Sequence, residues 1–307
     1  MQKAEEFHKI HIFRDIIPQH IYIINHIKHG IKKVLEMNYL LIVFIGIIGV
    51  FYYNTIGWMI ESWMYNEYYS HGFIVPLVSG YMIWNMRYIL ASVEKKTSQG
   101  GLWLFISGIV LQVISGIWTI RFLSGISFIL TLAGVIIYVF GWDFMKKIKF
   151  PFLFLLFMIP FPFVDIIASP AQTLSAFAST NIANLIGIPA RLEGLVITIP
   201  EGSFEVGITC SGINSIISLS MIGALFALIL EGSRTMKLTI LAFTIPLAMA
   251  GNILRITSVL AVATVYGQTA AMNYFHDISS LLFFSLSLIS LFLVGRCFGR
   301  LQFKKIF

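Results

Sequence analysis

The sequence predicts an all-α polytopic membrane protein of about eight transmembrane helices, with a small extracytoplasmic insert made of one helix and a β-hairpin. Three observations predict it. Hydrophobic residues make up 58% of the 307 and charged residues only 11%, against roughly 25% charged in a soluble domain. Mean hydropathy is +0.86, and apolar runs of about 20 residues, the length that crosses a bilayer, recur along the chain. The Lys and Arg residues, finally, sort to alternate connections between those runs.

The runs lie near 39–60, 72–91, 101–120, 123–141, 150–167, 207–230, 238–265 and 278–296. Threaded alternately, the segments on the side of the N-terminus are 1–38, 86–100, 142–149, 231–237 and 296–307. They carry six, three, three, two and four Lys or Arg, eighteen of the 21. The other side holds Arg121 and Arg191, and Arg255 lies inside a run. Basic residues concentrate in cytoplasmic loops, so both termini are expected in the cytoplasm. Residues 1–38 are expected to form a basic cytoplasmic segment, 39–296 the membrane domain and 297–307 a cytoplasmic tail, in the cell's inner (plasma) membrane.

The net charge of +7 therefore reports topology and not nucleic-acid binding, since no basic face is interleaved with exposed aromatics. The first 38 residues are polar and basic, unlike a cleavable signal peptide. They hold His8, His11, His20, His26 and His29. Their irregular spacing and lack of cysteine read as a solvated or membrane-surface segment and not a metal tract. Two cysteines, Cys210 and Cys297, make no disulfide framework.

Between the fifth and sixth runs the texture changes. Residues 169–189, SPAQTLSAFASTNIANLIGIP, have small and polar side chains with a helical apolar face, ending at Gly187 and Pro189. Next, RLEGLVITIPEGSFEVGI alternates β-branched residues around Pro200-Glu201-Gly202, which predicts a hairpin. This insert, 168–206, is the largest piece expected on the outer face, and inserts of that length are often functional.

Three residues capable of joint chemistry fall at one depth on that face. Cys210 starts the sixth run, which begins outside. Arg255 lies 17 residues into the seventh, which begins inside, so it sits ~25 Å along the span, near the outer leaflet. His276 precedes the eighth run, outside again. Each has a plainer reading: a core thiol, a snorkelling cation, an interfacial imidazole. Charge within a span is costly, roughly 2.5–3.5 kcal/mol on insertion scales, and marks function by default. Cys297 falls at the inner end of the eighth run, too far from Cys210 to bond to it.

The neighbours of Cys210 support reactivity. Thr209 or Ser211 is expected as the cap of the following helix, and Gly212 admits a close backbone or substrate. A thiolate at a helix N-terminus is stabilised by the dipole and by unpaired N–H groups. Those groups, with Arg255, suit the oxyanion formed when a carbonyl is attacked.

At these residues the chain resembles the exosortase/archaeosortase family of membrane transpeptidases. The matching blocks are YSHGFIVPLVSGYMIW (69–84), TCSGINSIISL (209–219), NILRI (252–256) and HDISS (276–280), and the similarity spans about 69–296. The family often has Gly shortly after the last histidine, where this chain reads Ser279-Ser280. Archaeal members often have Arg at the position of His276, so the bacterial-type branch is implied. The resemblance implies cleavage of exported proteins at a C-terminal sorting signal: a short motif, one transmembrane helix, then a basic tail. Carried over by position, it implies Cys210 as nucleophile, His276 as proton carrier and Arg255 as the oxyanion or substrate clamp.

His71, in the first block, competes with His276 as the base. Asn252 lies one turn before Arg255 on the same face and is expected to orient it or to contact substrate. Glu205 either pairs with a basic group or is a solvated strand residue. The expected partners are exported proteins with such a signal, membrane lipids, and an acceptor amine, lipid or polysaccharide. No cofactor is called for, and Cys210 has no companion ligands at zinc spacing. Two rivals come from other classes. One is a small-solute or lipid transporter with Arg255 as its anion site and a seventh run interrupted by Pro246 and Gly251. The other is an export-system scaffold in which Cys210 is inert.

Overall fold

The computed structural model describes residues 39–162, 164–207, 210–231, 233–298 and 302–303. The expected basic segment 1–38 with its five histidines, Thr209, and most of the 297–307 tail lie outside the described residues.

In chain order, α1 (Tyr39–Tyr65) leads through a 3₁₀ segment (Glu67–Phe73) to α2 (Ile74–Asn85) and α3 (Arg87–Ala91). Then come α4 (Gln99–Trp118), α5 (Arg121–Phe140) and α6 (Trp142–Phe154), a 3₁₀ turn (Leu155–Met158), and α7 (Val164–Leu185). Strands β1 (Arg191–Glu193), β2 (Val196–Ile199) and β3 (Gly202–Glu205) precede α8 (Ile213–Ile229) and β4 (Leu230–Glu231). The chain continues as α9 (Arg234–Tyr266), α10 (Gln268–Ala270), a π turn (Ala271–Phe275), α11 (His276–Phe298) and β5 (Gln302–Phe303), which pairs with β4.

Among the described residues, five helical stretches are long and apolar enough to cross a membrane: α1, α4, α5, α9 and the run Gln268–Cys297; α8, 17 residues, is apolar but shorter. The protein is thus a multi-pass helical membrane protein. The eight expected spans are revised in two places. The run 72–91 divides at Met86 into α2 and α3. The run 150–167 is not one helix: α6 gives way to the 3₁₀ turn, and Pro160 and Pro162 stand before α7. Proline withholds a backbone donor and disfavours helix at the residue before it. A hydropathy window counts side chains and does not register such breaks. The expected insert helix accordingly starts earlier, at Val164.

Many apolar side chains on α1 and α11 point outward, among them Ile42, Ile45, Val50, Leu281 and Leu282, as lipid-facing helices require. Between α1, α4 and α5 an apolar cluster of Phe44, Phe105, Val135 and Val139 is joined by polar contacts. The amide of Gln112 donates to Phe51 O and Thr55 Oγ1, and its carbonyl accepts from Ser124 and Ser127. Tyr52 bonds Thr131. Such hydrogen bonds join helices where the solvent offers no partner.

Residues 191–205 form three antiparallel strands in the order β1-β2-β3. Ile197 and Ile199 alternate inward along β2, as a strand with one buried face must. With Phe204 and Val206 they pack on Ala176 and Ala183 of α7 and on Leu260 and Ala263 of α9. Cys210 and Phe275 lie against this cluster. The sheet therefore anchors the chain as far as Val206, ahead of α8.

Helix α9 runs unbroken through Pro246 and Gly251, contrary to the interruption expected there. A proline removes only one helix donor, and a membrane helix accommodates that. Gly251 serves packing: an added Cβ would lie 2.2 Å from Ser287 Oγ on α11. The interrupted helix that the transporter alternative used is absent from α9.

Candidate active site

Cys210 ends a tight turn out of the sheet, its N–H bonded to Gly207 O at 2.9 Å. The cap of α8 is Gly212, with φ 83° and ψ 0°, and not Ser211, one of the two caps expected. The turn into α8 needs a left-handed residue, which glycine adopts without a Cβ clash. Ser211 is fully buried and its hydroxyl accepts from Ile213 N at 3.3 Å. Cys210 therefore stands two residues ahead of the cap. The helix field fades beyond the first turn, so the groups that matter most to its sulfur are side chains.

Helix α9 supplies two of them. Asn252, 4% exposed, donates from Nδ2 to Cys210 O at 2.7 Å and to Ser175 Oγ of α7 at 3.1 Å. It clamps the Cys210 backbone between two helices. Its side chain also fills the space beside Gly212, where a Cβ would meet Asn252 Cβ at 3.0 Å. One turn on, Arg255 is half-buried and reaches the sulfur, with Nη2 3.9 Å from Cys210 Sγ.

His276 arrives from the other side. The π turn 271–275 runs directly into α11, whose first residue is His276; such wider turns re-aim the side chains that follow and recur at functional sites. Its Nε2 lies 3.7 Å from Cys210 Sγ and 2.7 Å from Arg255 Nη2. A guanidinium has no acceptor, so Nε2 is the acceptor and the ring proton resides on Nδ1. Nδ1 faces Asp277 Oδ1 at 3.2 Å. The hydroxyls of Ser279 and Ser280 both donate to the His276 carbonyl.

The structure thus brings Cys210, Arg255, His276 and Asn252 together. His71 is held elsewhere: it is buried, its ring lies near Tyr69 and it bonds the Phe157 backbone. Burial pushes its imidazole below the usual histidine range, and the Phe157 bond opposes this in part. Glu205 is an exposed residue of β3 and forms no ion pair among the described residues, which favours its solvated reading. Cys297 is free and exposed near the end of α11. Two contributors were not foreseen. Asp277 stood unassigned inside the HDISS block. Ser175 carried no signal, being one of several small polar residues on α7.

A family model described as transmembrane exosortase matches residues 63–293, which takes in Cys210, Asn252, Arg255 and His276. The chain belongs to the transmembrane exosortase family. No curated protein and no solved structure matches it. In this exosortase the match begins near the end of α1 and closes within α11, so the first 38 residues lie outside the family region. Membership supports a membrane exosortase-type role, and the family suggests a cysteine transpeptidase.

Proposed function

We propose that this exosortase is a membrane-embedded cysteine protease and transpeptidase that cuts C-terminal sorting signals of exported proteins through a thioester. The observation that carries the reading is one imidazole nitrogen, His276 Nε2, within 3.7 Å of Cys210 Sγ and 2.7 Å of Arg255 Nη2. A nucleophile, a base and a cation converge at one point, as acyl transfer requires.

His276 Nε2 takes the Cys210 proton, and the sulfur attacks the scissile carbonyl carbon. Once protonated, Nε2 no longer accepts from Arg255, and two cations 2.7 Å apart repel. The guanidinium swings toward the new oxyanion, where its charge is needed. The carbon–nitrogen bond breaks, the departing amine takes the proton from Nε2, and the C-terminal helix leaves. An acceptor amine or water then attacks the thioester and gives its proton to Nε2; the carbon–sulfur bond breaks, and Nε2 returns the proton to the departing sulfur, which restores the Cys210 thiol. A substrate anchored by its own helix presents its peptide bond at a fixed depth, which supplies much of the orientation. On the charge distribution above, that depth is the extracytoplasmic face of the inner membrane, with both termini cytoplasmic.

The test compares Cys210→Ala with Cys297→Ala, scored on processing of a tagged substrate ending in motif, apolar helix and basic tail. The first variant abolishes processing and the second spares it. Equal tolerance of both substitutions eliminates the thioester route.

A further inference from the structure

A second concave site opens where the end of α1, the α4–α5 turn and the Pro160–Pro162 link meet. It is a cleft of about 470 Å³ whose lining includes Trp58, Asn66, Tyr69, Arg121, Phe122 and Phe161. Its wall is rigid. The Tyr69 hydroxyl both donates to Phe161 O and accepts from Phe161 N, and Phe122 stacks edge-on against Phe161 at 5.5 Å.

Among the described side chains of that lining, Arg121 is the one that is ionised. It is exposed and makes no ion pair or side-chain hydrogen bond among the described residues. Helix electrostatics do not account for it, because it is the first residue of α5, where a cation is disfavoured. Arg121 is also one of the two basic residues that depart from the charge bias of the loops. The cleft sits at the junction of two helices long and apolar enough to span a membrane, with Ile117, Trp118 and Ile120 exposed beside it. Aromatic side chains of this kind gather at the headgroup level of a bilayer, and a guanidinium matches a phosphate bidentately.

We infer that this cleft binds the phosphate of a membrane phospholipid, with Arg121 on the phosphate and the aromatic wall against the glycerol and upper acyl chain. The site does not belong to the Cys210 cluster, yet it adjoins it. Tyr69 and Val164, which line the cleft, pack in one cluster with Ile213, the first residue of α8. A headgroup seated there braces the wall behind the turn that carries Cys210.

The experiment is native mass spectrometry of the full-length chain in detergent, titrated with phosphatidylglycerol or, as the phosphate-free control, diacylglycerol. Phosphatidylglycerol is retained and diacylglycerol is not. Arg121→Gln lowers retention roughly tenfold, the scale of one charge-assisted bond. Arg121→Lys, which keeps the charge, recovers part of it, and Arg191→Gln, on β1 outside the cleft, changes nothing. Equal losses in Arg121→Gln and Arg191→Gln, or equal retention of the two lipids, overturn the inference. So does displacement of the lipid by millimolar inorganic phosphate, which makes the ligand free phosphate. Unchanged lipid retention in Arg121→Gln with weakened binding of an acidic peptide makes the cleft a peptide site and also overturns it.

Discussion

The Arg255 guanidinium donates to His276 Nε2 over 2.7 Å while the same Nη2 lies 3.9 Å from Cys210 Sγ. One planar group reaches both the imidazole and the thiol at once. Lysine carries one compact ammonium on a flexible stem and does not reproduce that fork. Arg255→Lys is expected to lower kcat/KM for processing by about 100-fold, the scale of one lost oxyanion donor, with the protein still inserted in the membrane. Near-native turnover would show that a point charge suffices and remove the oxyanion role.

Asn252 acts on Cys210 through the backbone. Asn252→Ala leaves the Cys210 carbonyl and Ser175 without their shared donor, at a cost of about 1–3 kcal/mol in a buried site. The thermal midpoint in detergent falls, and kcat falls more than KM rises. Asn252→Asp does not rescue, because a carboxylate has no N–H for Cys210 O. Full activity in the Asp variant would refute the clamp.

Gly212 holds φ 83°, and a Cβ there would press on the Asn252 side chain at 3.0 Å. Gly212→Ala is expected to cost about 1–2 kcal/mol for the left-handed conformation alone, and more for the push on Asn252. Thermal unfolding measures the first effect. A slower alkylation of Cys210 by a small neutral reagent measures the second, since the turn ahead of α8 must shift.

Asp277 holds the His276 tautomer from an open position: its side chain is 89% exposed against 28% for the histidine. Contacts that wet are weak. Asp277→Asn is expected to slow processing less than about tenfold, for that reason. His276→Gln, which on the proposed mechanism removes the proton carrier, is expected to abolish turnover. Equal defects in the two variants would make Asp277 a principal participant.

His71 gives the chain an acid sensitivity. Its ordinary value is 6.5, and in the folded protein burial holds it lower. Above 6.5 both folded and unfolded forms are neutral and the group contributes nothing to the pH dependence. As pH falls below 6.5 the unfolded chain takes up the proton first, so stability is lost until the folded value is passed. Unfolding followed between pH 5 and 8 shows this loss, and His71→Gln flattens it. An unchanged profile in that variant would assign the titration to other groups.

Much of the membrane domain was legible in composition because apolar length is a local property. The runs at 39–60, 101–120, 123–141, 238–265 and 278–296 each contain enough consecutive apolar side chains to announce α1, α4, α5, α9 and α11. Backbone continuity is not carried by hydropathy. The break at Met86 and the passage from Leu155 to Pro162 therefore stayed hidden, as did the passage of α9 through Pro246. The strands after Ala190 were legible through β-branched alternation, but a third strand, β1, was not, because three residues show no period.

By itself the sequence determined a multi-pass helical protein and singled out Cys210, Arg255 and His276 as candidate side chains at one expected depth, since residue type and position along a span are properties of the chain. Only the tertiary structure decided that they meet. Cys210 and His276 are 66 residues apart, and their separation depends on how α8, α9 and α11 pack, on the left-handed Gly212 and on the π turn before His276. It also decided that Asn252 holds the Cys210 backbone, that His71 is buried elsewhere, and that Arg121 faces an aromatic cleft. Each of these is a contact between distant residues, and such contacts are fixed by three-dimensional packing and not by any local pattern.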